Sequence, residues 1–310
     1  MAVVVTGAAG FIGTQLVARL LRDGHHVIGI DRRLGVPSGA VALRGELSTP
    51  THEMLDALRR ADAVFHLAGC PGVRGSGSDL AARRWRDNVL AGDIVLGATP
   101  ASTPLVVTSS SSVYGGATVT ADAVRACRED DRLNPRGGYA RSKAVLEAHC
   151  AERAHSGGRV TVVRPFTVAG EGQRPDMAIA TWIAAALRQQ PLTILGSPHR
   201  LRDITDVRDV VEGLVRAAHQ VQSQVINLGT GVGHRLSELA AAVQRVMGVR
   251  VATQLQPAYP AEVVATLADT SRCRAILNFV PRTDLDDVVR RQVAAHLSTV
   301  PATTRLLEIA

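Results

Sequence analysis

The chain is poor in the residues that mark specialised surfaces. Only 3% of its 310 residues are aromatic, so no interleaved rings are available to stack on nucleic acid, although the net charge is +7. The basic residues are dispersed along the sequence, and an anionic small molecule or an Arg-rich background explains the charge better than a nucleic-acid partner. Cys70, Cys127, Cys150 and Cys273 stand far apart with no C-x-x-C spacing, a pattern that predicts free thiols, no disulfide framework and no metal site. No run of 18 or more apolar residues occurs, and Met1 leads directly into Ala2-Val3-Val4-Val5 with no basic leader. We therefore expect no membrane span and a cytoplasmic protein. His66, His149 and Cys150 read as packed or solvated residues rather than ligands.

The scarcest residue is lysine. Of 35 Lys and Arg, Lys143 is the only lysine and the other 34 are arginine. It lies four residues after Tyr139, in Gly137-Gly138-Tyr139-Ala140-Arg141-Ser142-Lys143, where a helical pattern begins that runs to about residues 156–158. Residues four apart share a helix face, so a phenol and an ammonium would look into one space. That pair is a candidate acid/base device. A guanidinium could not easily replace the ammonium, which is compact and shifts its pKa readily.

What is abundant is alternation of short apolar runs with helical patterns. Residues 2–31 read as strand, glycine turn, helix and strand, with Gly7, Gly10 and Gly13 in the turn and Asp31 at the end of the second strand, 18 residues after Gly13. The glycines allow the tight turn, close backbone approach to a pyrophosphate and close helix packing, and the acid would accept from a ribose 2′-OH. This favours NAD. Arg32 and Arg33 follow immediately and could offset the repulsion of a 2′-phosphate, which leaves NADP open. Further strands are expected at 63–68, 105–109, 159–164, 192–195 and 224–228, and helices at 51–60, 79–97, 139–157, 177–189, 207–219, 236–246 and 284–296. Continuous apolar strands between helices predict an α/β fold with a doubly wound parallel sheet buried on both faces. We expect a first domain at 1–165, receiving part of 204–228, and a smaller α/β substrate-binding lobe at 166–310.

In order along the chain, these motifs resemble the extended short-chain dehydrogenase/reductase family, specifically its nucleotide-sugar epimerases and dehydratases. The resemblance spans roughly residues 2–295 and implies a Rossmann-type fold with NAD as cofactor. Thr6-Gly7-Ala8-Ala9-Gly10-Phe11-Ile12-Gly13 and Asp31 match the family's NAD fingerprint. Arg32 stands next to that acid, and Glu46-Leu47 stands where Asp-Leu usually contacts adenine. His66-Leu67-Ala68-Gly69 matches the segment lining the cofactor, Asn88 the central asparagine of the next helix, and Thr108 and Pro165 end strands that border it. Within Ser109-Ser110-Ser111-Ser112-Val113-Tyr114-Gly115, Ser110 takes the place of the catalytic hydroxyl, and Tyr139 and Lys143 complete the triad. Thr167 and Arg174, in Arg164-Pro165-Phe166-Thr167 through Met177, match a substrate-lobe motif whose Thr form occurs in UDP-glucuronate 4-epimerases, and Arg202 matches a diphosphate contact.

The resemblance implies that Tyr139, as a phenolate favoured by the Lys143 ammonium and the nicotinamide charge, takes the sugar 4-OH proton while C4 gives up hydride. Ser110 would bond the reacting hydroxyl. Sister dehydratases place Asp-Glu, and decarboxylases a Glu, just before the equivalent of Val113, whereas this chain has Ser111-Ser112. That makes 4-epimerisation of a UDP-hexose or UDP-hexuronate the leading choice over dehydration or decarboxylation, with Ser111, Ser112 and Thr167 able to hold a uronate carboxylate. Two departures stand out: no second diphosphate-binding arginine occurs near Tyr259, and the segment between Asp31 and Glu46 is short. The first slightly favours a rival, an NAD(P)H-dependent 4-keto-sugar reductase, and a non-catalytic dinucleotide sensor is a further rival that would need no triad. The family's intersubunit helices correspond to 79–97 and 139–157, so a homodimer is expected.

Overall fold

The computed structural model describes residues 1–72, 75, 77–121 and 123–299. The chain begins with β1 (Ala2–Thr6), α1 (Phe11–Arg22), β2 (His26–Asp31), β3 (Val41–Arg44), α2 (His52–Arg60) and β4 (Ala63–His66). One long helical segment follows: α3 (Ser78–Arg84), a π-helical turn (Trp85–Leu90) and α4 (Ala91–Ala98). Next come β5 (Leu105–Thr108), a 3₁₀ turn (Ser111–Tyr114), the ribbon β6–β7 (Thr118–Val119, Val124–Arg125), α5 (Gly137–His155) and β8 (Val160–Pro165). The remainder is β9 (Thr167–Ala169), α6 (Ala178–Leu187), β10 (Leu192–Leu195), β11 (Leu201–Asp206), α7 (Val207–Ala218), β12 (Gln224–Leu228), β13 (Gly233–Arg235), α8 (Leu236–Met247), β14 (Thr253–Gln256), α9 (Ser271–Leu277) and α10 (Leu285–Thr299).

Seven strands form one parallel sheet in the order β12-β8-β5-β4-β1-β2-β3. Its inner strands are largely apolar because both faces are covered. Val3 and Val5 join one core with Leu16 and Leu20 of α1 and Val210 and Leu214 of α7. Val4 points the other way, into a core with Met54, Leu58, Val95 and Leu146, as the period of two along a strand requires. From β1 the chain steps outward through β2 and β3, then returns to β4 on the opposite side of β1. The connections leaving β1 and β4 therefore diverge and open a crevice at the carboxyl ends of the strands.

A second core forms where α6, α8 and α10 pack around β10, centred on Trp182, Ile183, Ile194 and Val243. The strands β13, β11 and β9 make a small sheet beside it. The polypeptide then comes back: α7 packs on the first core and β12 adds the seventh strand beside β8.

The expected strands at 192–195 and 224–228 coincide with β10 and β12. α1 starts at Phe11, so the end of the glycine turn is already helical. Several elements lay outside the expected pattern, among them β3, β11 and α9. β3 is an edge strand with three of its four residues exposed, so nothing selects an apolar run. β11 carries Asp203 and Thr205, both fully buried, and α9 has only seven residues. Asp203 is tolerated inside because it accepts from the Thr230, Gly231 and Ala268 N–H groups and from Thr230 Oγ1. Among the described residues no helix is long and apolar enough to cross a membrane and no residue group could hold a metal. All four cysteines are free and buried.

Candidate active site

A cavity of about 1220 Å³ runs along the crevice, from the carboxyl ends of β1 and β2 to the second core. At its first end the wall is mostly backbone. Gly7 has φ +70°, and a Cβ there would stand 2.7 Å from the Ala68 nitrogen. A Cβ on Gly13 would lie 2.0 Å from the Gly7 carbonyl oxygen, so helix and turn can meet only without a side chain. The first turn of α1 has no side-chain cap and no acid, leaving its N–H groups directed at the crevice, where a phosphate would satisfy them.

Asp31 is buried and held in place, accepting from Ala9 N at 3.0 Å and Arg33 N at 2.9 Å. Both neighbouring arginines are engaged. Arg33 donates to the Ala9 carbonyl at 2.8 Å, and Arg32 to Asp87 at 2.9 Å and Glu46 at 3.4 Å. Arg33 Nε also stands 3.5 Å from the Asp31 carboxylate itself, so one guanidinium pairs with the acid. Thr108 Oγ1 is buried with no hydrogen-bond partner among the described residues. Glycine cradle, aligned acid and orphaned hydroxyl together fit a dinucleotide of the NAD type.

At the centre, β5 delivers its end to the first turns of α5. The Ser110 side chain lies beside the Tyr139 phenol, and Lys143, almost fully buried, donates from Nζ to the Thr108 carbonyl at 2.8 Å. Ser110 is also fixed from its own side, accepting from Ser112 N at 3.1 Å. Burial pushes the Lys143 ammonium down to about 8, against the raising influence of Cys150 and Glu147. Burial also pushes the Tyr139 phenol up, and the first influence opposing this is the Ser110 hydroxyl, followed by Arg174. Lys143 Nζ is directed at the Thr108 carbonyl, and Ser110, Arg174 and Arg84 are the groups that favour the phenolate.

The helical segment across from α5 bulges where it borders the site. In the π-helical turn Asp87, Asn88 and Val89 are all buried, and such widened turns bring an extra residue to an inner face. Asn88 accepts from Cys70 N at 2.7 Å and donates to Ser142 Oγ at 2.8 Å and the Cys70 carbonyl at 3.2 Å. It therefore acts as a clamp between three segments while lining the cavity. His66 pairs with Thr6 Oγ1 at 2.8 Å, and burial, then the Lys143 charge, pushes it down to about 3, which keeps it neutral.

The far end is built of side chains from scattered elements. Trp182, Leu195, Ile204, Leu236 and Leu239 form an apolar pouch beside Arg202. The Arg202 guanidinium donates to the Leu201 and Val264 carbonyls. Arg174 forks onto Asp176 at 2.8 and 2.6 Å. Near Tyr259, where an arginine is absent, Glu262 pairs with Arg200 at 3.4 Å. Ser112 Oγ is buried with no partner among the described residues and lines the same cavity.

Every residue predicted for catalysis, cofactor or substrate borders this one cavity, from Gly7, Phe11, Ile12, Leu47 and Gly69 to Ser111, Pro165 and Thr167. Sequence reasoning missed Asp87, Gln173 and the apolar pouch. Trp182 and Leu195 carry no signal of their own, being apolar positions like many others in the chain.

A family model described as NAD dependent epimerase/dehydratase matches residues 3–229. Over 97% of this chain and 99% of its own length, an uncharacterized UDP-glucose epimerase, YtcB of Bacillus subtilis (strain 168), is 30% identical. The solved structure of MoeE5 in complex with UDP-glucose and NAD is 36% identical, with TM-score 0.88 over 97% of this chain and all of that one. The UDP-glucuronic acid 4-epimerase from Bacillus cereus in complex with UDP-glucuronic acid and NAD also superposes with TM-score 0.88, at 28% identity over the same shares.

Proposed function

Because the chain belongs to the NAD dependent epimerase/dehydratase family, we propose that it is an NAD-dependent UDP-sugar 4-epimerase and that its preferred substrate is a UDP-hexuronate. The observation that carries the reading is the end of β5: Ser110, Ser111 and Ser112 stand opposite Tyr139 and Lys143, and no carboxylate occupies 111 or 112. A carboxylic acid there would serve elimination, whereas hydroxyls can bind a substrate without abstracting its C5 proton. The unpartnered Ser112 hydroxyl, Thr167 and the Arg174 fork, which already holds one carboxylate in Asp176, suit the acid group of a uronate.

When bound, NAD supplies the two-electron acceptor that takes the C4 hydrogen as hydride and returns it. Tyr139 takes the C4 hydroxyl proton and gives it back, Ser110 holds that oxygen, and Lys143 fixes the geometry beneath through the Thr108 carbonyl. Arg202 and the Trp182 pouch hold the diphosphate and base, and rotation of the keto sugar between the two transfers inverts C4. Gly7, Gly10, Phe11, Ile12, Gly13, Asp31, Arg32, Glu46, Leu47, Leu67, Ala68, Gly69, Asn88, Thr108 and Pro165 are assigned to the cofactor.

On this reading residues 1–165 with the returning α7 and β12 bind NAD, and the rest of 166–310 binds the sugar nucleotide, its last residues 300–310 lying outside those described. The protein works as a twofold dimer through α3–α4 and α5, where Trp85 and Leu90 are 50% and 44% exposed. The buried free thiols support a cytoplasmic setting. Incubating the protein with UDP-glucuronate, UDP-glucose and UDP-N-acetylglucosamine and following the products by NMR tests the assignment. An inverted C4 centre is expected, fastest with UDP-glucuronate; loss of water or CO2 would reassign the reaction.

A further inference from the structure

Three consecutive residues at the end of β5 are each tied to one of three residues spaced a helical turn apart on α5. Ser110 meets Tyr139, the Thr108 carbonyl meets Lys143, and Ser109 Oγ donates to Glu147. Positions 139, 143 and 147 lie on one helix face, so strand end and helix are joined like rungs. The first two rungs hold the residues assigned to catalysis. The third is deeper: Ser109 and Glu147 are 3% and 7% exposed, and Glu147 does not border the cavity.

Glu147 is itself anchored from β8. Arg164 donates to it from Nε at 2.9 Å and Nη2 at 2.6 Å, and reaches the Tyr114 hydroxyl at 2.8 Å. Tyr114 donates to Asn227 of β12 at 2.7 Å. The third rung thus ties the catalytic strand end to the two outermost strands on that side of the sheet. We infer that Glu147 is a positioning residue of the reaction, fixing the strand end that presents Ser110 and the Thr108 carbonyl and supplying the carboxylate on the Lys143 face of α5.

The groups around Lys143 single out this carboxylate. Facing Lys143 are Cys150 and Glu147 of α5 and His66 of β4, while Arg164 of β8 is spent on Glu147. His66 is neutral, and burial pushes the Cys150 thiol up to about 12, so it too is uncharged at working pH. Of the two groups that raise the Lys143 value, Glu147 is the carboxylate, ion-paired with Arg164. Removing that charge lets burial pull the ammonium further down.

The inference rests on the 4-epimerase reading. The NAD-loaded wild type, Ser109→Ala and Glu147→Gln are compared for kcat and KM across the neutral-to-alkaline range, alongside melting temperature and NAD content. Ser109→Ala cuts only the rung and leaves the Glu147–Arg164 pair. It is expected to lower kcat about tenfold, part of the roughly hundredfold that a 1 Å misplacement costs, with KM within about twofold and NAD content unchanged. Glu147→Gln should lose more and shift its alkaline fall in kcat down by roughly half a pH unit. If the wild type turns over but Ser109→Ala keeps full kcat, or losses follow only the folded fraction with the alkaline fall unmoved, this inference is overturned. A Glu147→Gln protein that does not fold leaves Ser109→Ala to decide. A wild type inactive on every UDP-sugar overturns the parent reading and this one with it.

Discussion

The two ends of the cavity are made of different material. At the NAD end the wall is backbone, and three glycines are required because any side chain would collide with a main-chain atom, at 2.7 Å on Gly7, 2.9 Å on Gly10 and 2.0 Å on Gly13. At the sugar-nucleotide end the wall is side chain: Trp182, Ile204 and Leu236 are also residues of the second core, half-buried Leu195 lines the cavity beside them, and Arg202 is braced by carbonyls of its own neighbourhood. A backbone wall restricts sequence severely, while a side-chain wall accepts whatever apolar residue packs. The glycines of the first end should therefore tolerate almost no substitution, and the second end should respond gradually and mainly in substrate affinity.

The sharpest break is expected where the ends meet. Tyr139→Phe removes the proton acceptor and keeps the ring, and should cost about a hundredfold to ten-thousandfold in kcat with NAD still bound. Lys143→Arg should fail as well, because the guanidinium cannot fit the buried position in which Nζ meets the Thr108 carbonyl. Steady-state rates on protein of measured NAD content check both, and near-normal turnover by Tyr139→Phe would remove that residue from the chemistry.

Next in size is Gly13→Ala. Overpacking costs at least about 1–3 kcal/mol, and we expect NAD affinity to fall roughly tenfold to a hundredfold or more. Calorimetry would show it; unchanged affinity would mean that the backbone wall is not the cofactor's seat.

At the other end Arg202→Ala should raise KM for the sugar nucleotide about tenfold to a hundredfold, the loss of a charged hydrogen bond of roughly 1.5–3 kcal/mol, with NAD binding untouched. An equal effect on both ligands would erase the contrast between the ends. The smallest change is expected at Asp31→Ala: NAD binding weakens about tenfold and discrimination against NADP relaxes. A wild type that binds NADP more tightly than NAD by titration would contradict the role given to this acid.

Legibility followed the same division. The parallel sheet, the glycine turn and the Tyr139–Lys143 pair could be read because each depends on spacing: two along a strand, four on a helix, or glycine where nothing else fits. The apolar pouch could not, since Trp182 and Leu195 differ in no local respect from apolar residues elsewhere. β11 was hidden for another reason. Its buried Asp203 looks like a surface residue until Thr230, Gly231 and Ala268 come together from distant sequence to bond it. Long-range satisfaction of polar groups leaves no periodic trace. The third rung of the catalytic strand, Ser109 to Glu147, was unreadable for the same cause, although Glu147 stands four residues after Lys143.

The central claim is that both ends act on one substrate held over one retained cofactor. UDP-glucuronate carrying deuterium at C4 tests it most directly, with the product followed by NMR in ordinary water. Deuterium kept at an inverted C4, with no exchange at C5 and no NADH released, is the expected result. Deuterium appearing in released NADH, or protium entering C4, would contradict a hydride taken and returned within a single site.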